Sequence, residues 1–220
     1  MLKGRVRRSV YACGVVALLA GALPVAARAA LIDFGSGLGT PATVGIADPV
    51  DTAFWSTALS AGAKSRAPRS GQVLAVRVRG CAERGSGGQL PLTQIHFQVL
   101  SPGSEGGTSI KVTSGPFNLP VCGGPVSGGT VSTFRPVNLC ASAGDYVAFN
   151  DEGGAAPGVF PRGVAYEVFA RSPGAATTSF TGAGATSNGD HLQGVGHQGL
   201  ELLMQLVLGT GHNAGPACRT

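Results

Sequence analysis

The sequence predicts an all-β protein, an antiparallel, jelly-roll-like β-sandwich of about eight strands. Three observations predict it. Apolar and polar residues alternate over short runs, most cleanly in VLAVRVR (73–79) and QIHFQVL (94–100). Each run is bounded by Gly, Pro, Ser or Asn, and the 36 Gly and 14 Pro suit many turns joining many strands. Helical periodicity is almost absent.

Taken in order, residues 1–29 read as a secretory signal peptide. Lys3, Arg5, Arg7 and Arg8 form a positive head, an apolar run follows to Ala22, and Ala27-Arg28-Ala29 supplies the small residues of a cleavage site before Ala30. Arg7-Arg8-Ser9-Val10-Tyr11 is similar to a twin-arginine signal, so both the general and the twin-arginine routes stay open. Residues 30–220 then form a single sandwich domain. The first stretch, 31–51, is Gly-rich and weakly patterned, with one short strand expected near 43–47. TAFWSTALSA (52–61) is a strand carrying Phe54 and Trp55 on opposite faces. In 73–79, Leu74, Val76 and Val78 face one way and Arg77 and Arg79 the other; in 94–100, Ile95, Phe97 and Val99 face in and Gln94, His96 and Gln98 out. Further strands are expected at 109–113, 131–139, 145–149, 165–170 and 201–208. The Gly/Ala/Ser/Thr stretch 172–199 is expected as one long Gly-rich loop, too long for a hairpin.

Past the leader four cysteines remain, an even number with no CxxC spacing, which in an oxidising compartment points to two disulfides. Strand parity assigns them. If neighbouring strands run antiparallel, Cys81 and Cys122 fall at one end and Cys140 at the other. Cys122–Cys140 would then have to span a strand's length of roughly 25–30 Å, against a limit of roughly 7 Å between Cα atoms. The expected pairs are Cys81–Cys122 and Cys140–Cys218.

The formal charge of +5 is a property of the leader, whose five Lys and Arg stand without a carboxylate. The remainder carries eleven cations against eleven anions. A nucleic-acid partner or a polybasic membrane contact has no basic face to use. No apolar run after the leader approaches the ~20 residues of a membrane span, so no membrane insertion is expected once the leader is removed.

Candidate site residues are few. No G-x-S-x-G elbow or HExxH occurs, and no catalytic residue is assigned. Asp145, Asn150, Asp151 and Glu152 form the densest oxygen-rich group. They read either as a calcium site or as turn residues flanking a strand. No other cofactor is implied. Trp55, if it faces outward, is a platform for a ligand such as a sugar; packed under a loop, it is core. His191 and His197, with Asp190, lie in the long loop, where a general base, a metal site or a plain solvated loop are the alternatives. His96 belongs to the polar face of its strand.

The segment FRPVNLCASAGDYVAFNDEGG (134–154), with GQVLAVRVRGC and TQIHFQVL upstream, resembles uncharacterised exported single-domain β-sandwich proteins of high-GC actinobacteria. The resemblance implies a fold and a location, and no activity or functional residue.

The function expected from these readings is a secreted or cell-surface sandwich that is not an enzyme and binds a cell-wall or extracellular ligand, carbohydrate or protein. One alternative is a secreted hydrolase acting through His191, Asp190 and Glu152. Another is a structural protein of the cell envelope.

Overall fold

The protein was analysed as a computed structural model that describes residues 29–83, 94–103, 106–124, 127–151, 166–181 and 188–219. Nearly all of the expected leader, and Glu152, lie outside these residues. Among them fifteen strands follow in chain order: β1 (Ala30–Gly35), β2 (Val44–Ile46), β3 (Thr52–Ala58), β4 (Gly71–Arg79), β5 (Cys81–Ala82), β6 (Gln94–Pro102), β7 (Thr108–Thr113), β8 (Phe117–Asn118), β9 (Val131–Phe134), β10 (Cys140–Ala141), β11 (Tyr146–Asp151), β12 (Tyr166–Thr181), β13 (His191–Leu192), β14 (Val195–Leu202) and β15 (Met204–Thr210). The all-β antiparallel sandwich is as expected, with more strands than eight. The excess is mostly two-residue pieces (β5, β8, β10, β13), too short for a period of two to show in sequence, while β2 is the short strand expected near 43–47.

One sheet has the order β1-β15-β4-β10, with β9 also on β4; the other runs β13-β7-β6-β11-β3-β12-β14. Their facing sides enclose one core. Phe34, Val76, Phe134 and Leu206 come from the first sheet, and Phe54, Phe97, Phe149 and Phe169 from the second. Rings meet across it, Phe97 and Phe134 with centroids 5.5 Å apart, and within it, Phe54 and Phe169 at 5.2 Å.

Two expectations change in detail. In β4 it is Val73, not Leu74, that is fully buried, because a register shift opposite Val207 and Leu208 breaks the alternation there. The segment 172–199 is not one loop. β12 continues to Thr181 through a bulge between Arg171 and Ala176, where Pro173 and Gly174 interrupt the ladder, and β13 and the start of β14 take up seven of the twelve described residues from 188 to 199. Small residues hide the pattern: Ala175, Ala176, Thr177 and Ser179 are buried without offering large apolar side chains to a sequence reading.

The second sheet curls. Seven strands laid flat would hold their outer members about 29 Å apart. Here the outer members β13 and β14 are joined by Gln193 and Gly194 alone, a link that spans at most about 11 Å from Leu192 to Val195. The concave side therefore closes on a second apolar cluster of Ala53, Trp55, Leu100, Ile110, Tyr146, Ala148 and Leu192. This explains why β11, in the middle of the sheet, is buried on both faces. Gln98, expected outward, is fully buried, and Phe54 and Trp55 are both buried on opposite faces.

Candidate functional site

Gly103 closes the β6–β7 turn by donating its N–H to the Gly107 carbonyl at 2.7 Å. β7 then starts at Thr108, and β13 adds beside it with His191 opposite Ser109 and Leu192 opposite Thr108. The ladder continues upstream, Ile110 N–H to Asp190 O at 3.0 Å and Gly189 N–H to Ile110 O at 2.7 Å. Period two then decides the side chains: Leu192 is buried in the curl, while His191 and Gln193 stand exposed. The result is an open groove of about 280 Å³ lined by Gly103, Gly107, Thr108, Ser109, His191, Leu192 and Gln193.

Register puts Ser109 and His191 on one face, and their side chains meet, Oγ to Nδ1, at 2.7 Å. Thr108 is 4% exposed and its hydroxyl is buried without a hydrogen-bond partner. A cluster of this kind cannot be found in sequence. Ser109 opens an ordinary short strand, His191 lies 82 residues away, and only the β7–β13 register brings them together.

The residues singled out from sequence are dispersed. Trp55 is no outward platform: it is 3% exposed, under the Gln193–Gly194 link, and a Cβ on Gly194 would stand 2.8 Å from its Cη2. Asp145 and Asp151 flank opposite ends of β11, about 20 Å apart by strand rise, so they cannot ligate one calcium ion. Asp145 accepts the Ser142 N–H at 2.7 Å and pairs with Lys111 Nζ at 2.7 Å. Asp151 accepts the Thr52 N–H at 2.6 Å, and Asn150 Nδ2 donates to Asp51 Oδ1 and Gln98 Oε1 at 3.2 and 3.1 Å. Burial, reinforced by the carboxylates of Asp48 and Asp51 and opposed by the Thr52 N–H, holds the Asp151 carboxyl well above the usual range. Glu152 lies outside the described residues.

Asp190 does not complete a triad with His191. Its Oδ2 is buried with no hydrogen-bond partner, while the His191 ring bonds Ser109. His197 bonds Ser179 Oγ at 2.8 Å through Nε2, away from the groove lining. His96 is half-buried, its Nδ1 2.9 Å from the Ser114 carbonyl. Glu201, 5% exposed, is held by the hydroxyls of Ser36 and Ser60 at 2.8 and 2.6 Å, a clip between β14 and the early loops.

The cysteines pair as expected, Cys81–Cys122 and Cys140–Cys218, with Cα atoms 5.1 and 5.2 Å apart. The parity held through a different neighbour. β4 pairs with β9 and β10, not β6, and sets Cys140 opposite Gln72 at its start while Cys81 follows its end. Among the described residues, three groups able to ligate a metal come together only at Cys81, Cys122 and Glu167, and both sulfurs there are spent in the bridge. Burial, then the neighbouring Glu83 carboxylate, push the Glu167 carboxyl upward. No helix among the described residues is long and apolar enough to cross a membrane.

No protein family, curated protein or solved structure matches this chain.

Proposed function

We propose that the chain is an exported, non-enzymatic β-sandwich that binds a cell-wall or extracellular ligand in the groove between Gly103, Gly107 and Ser109 on one side and His191 and Gln193 on the other. The observation that carries this reading is the groove itself. It is open to solvent, and strand register rather than loop packing holds its hydrogen-bonding side chains in place. The leader supports export, and two disulfides suit an oxidising location.

A second reading, acyl transfer, has the Ser109–His191 pair in its favour. Against it stands the lack, among the described residues, of a third group on the His191 ring. A serine–histidine pair needs a carboxylate to fix the imidazole and backbone donors around an oxyanion, and Asp190 does not supply the first.

Sedimentation of the purified chain with walls isolated from the producing organism tests the binding reading. Wild type should pellet with the walls, and Gln193→Trp, which fills the groove from an exposed position, should stay in the supernatant with an unchanged melting temperature. Wall binding indifferent to Gln193→Trp overturns the site. Labelling of Ser109 by a fluorophosphonate, lost in His191→Gln, would replace binding with hydrolysis.

A further inference from the structure

We propose that the groove takes an uncharged, hydroxyl-rich ligand, the terminal sugar residue of a neutral glycan. The proposal rests on the reading that this groove is the binding site, and it names the chemistry that the lining selects.

Size comes first. A cavity of about 280 Å³ lies at the small end of ligand pockets, with room for one sugar ring rather than a long segment. Charge comes second. None of the seven lining residues carries a carboxylate, ammonium or guanidinium, so a charged ligand would leave water without a compensating partner.

Hydrogen-bonding character then separates a sugar from an apolar molecule. Ser109 presents a hydroxyl, Gln193 an amide and His191 a ring, and each of these both donates and accepts. A sugar hydroxyl does the same, so it can satisfy such groups in either sense. Leu192 is the one large apolar lining residue, and it is turned into the curl.

A peptide strand fits less well. β13 is two residues long and already paired to β7, which leaves too short an edge to register an extended backbone. Among the described residues no Phe, Tyr or Trp lines the groove, so hydrogen bonds and not stacking would carry recognition. For a ligand of roughly a dozen heavy atoms held this way, a Kd of about millimolar follows.

The test is a titration of the full disulfide-bonded chain, followed by amide NMR shifts, with glucose, mannose, arabinose and N-acetylglucosamine. Glucuronic acid and glucosamine serve as charged controls. At least one neutral sugar should shift Ser109, His191 and Gln193 and bind about tenfold more tightly than either charged control. Ser109→Ala and Gln193→Ala should each weaken it about fivefold, the equivalent of one hydrogen bond. A panel of neutral sugars that leaves these residues unshifted overturns the proposal, as does equal binding of a charged control. If the panel is silent while Gln193→Trp still abolishes wall sedimentation, the sugar class is wrong and the groove reading stands. If sedimentation ignores Gln193→Trp, the groove reading itself has failed.

Discussion

Lys111 Nζ lies 2.7 Å from Asp145 Oδ2 and 2.8 Å from Ser142 Oγ, a clamp that reaches from β7 over β6 to the turn that starts β11. The aspartate side chain is 4% exposed and also caps the Ser142 N–H. The carboxylate that sequence reading offered to a metal is already satisfied by protein. Asp145→Ala should therefore lower stability by about 2 kcal/mol, because it takes the acceptor from the part-buried Ser142 N–H and the partner from the Lys111 ammonium together. Lys111→Met, whose side chain is 35% exposed, should cost only about 1 kcal/mol or less. Denaturant melts of the two variants check the order; equal losses would show that the ion pair, not the turn cap, dominates.

Millimolar calcium and chelator should give the same melting temperature, since Asp145 and Asp151 sit at opposite ends of β11. A rise in calcium of several degrees, lost in Asp151→Ala, would place an ion at the Asp51–Asp151 end.

Asp151 itself should make stability fall with rising pH. Its folded carboxyl holds a proton more tightly than the unfolded one, whose pKa is about 3.9. The folded state therefore binds more protons between the two values. Stability is greatest below the unfolded value and declines as pH climbs through the folded one. Asp151→Asn keeps an oxygen for the Thr52 N–H and removes this linkage. The variant should melt a few degrees above wild type near pH 8, with the gap closing toward pH 4. Parallel curves across that range would refute the assignment.

Gly194→Ala tests the curl. The added methyl would meet Thr178 Cγ2, Trp55 Cη2 at 2.8 Å and the Ser179 carbonyl at 3.0 Å. Overpacking of this kind costs about 1–3 kcal/mol, or about 2–4 °C per kcal/mol in a domain of this size. Trp55 is the only tryptophan, so its emission should move to the red as the link is displaced. An unchanged spectrum and melt would mean that the link does not press on the ring.

The two bridges close sequence separations of 41 and 78 residues, and each should stabilise by about 4 kcal/mol on chain-entropy grounds. Cys140→Ser should free one thiol, that of Cys218, and Cys81→Ser that of Cys122. Thiol titration of each variant, with non-reducing peptide mapping of the wild type, gives the answer; Cys122 found on Cys140 would contradict the register of β4 with β10.

How much of this was legible in the sequence follows from side-chain size. β4, β6 and β11 were readable because Val, Phe and Ile mark every second residue, and the cysteine pairing followed from strand direction alone. The second half of β12 was not, since Ala, Thr and Ser bury well yet leave no period to see, and β13 has only two residues in which to show one. Of the two readings open for Trp55, core under a loop is the one found, because the curl covers the face that an open sheet would leave wet there. The groove was invisible for a different reason. Ser109 and His191 are ordinary in isolation, and the information that joins them is the strand register.

β1 lies against β15 with Ala30 opposite Thr210 and Leu31 opposite Gly209, and the same rung continues through Gln72 to Cys140. Cys218, bonded to Cys140, thus ends at the same margin of the first sheet as Ala30, about three strand spacings or 14 Å away. The Ala30 and Cys218 ends of the described fold can accordingly be spliced with a linker of about six residues. A circular permutant reopened at the exposed Gly62 turn would keep every strand pair of both sheets, and its new ends would leave the groove untouched.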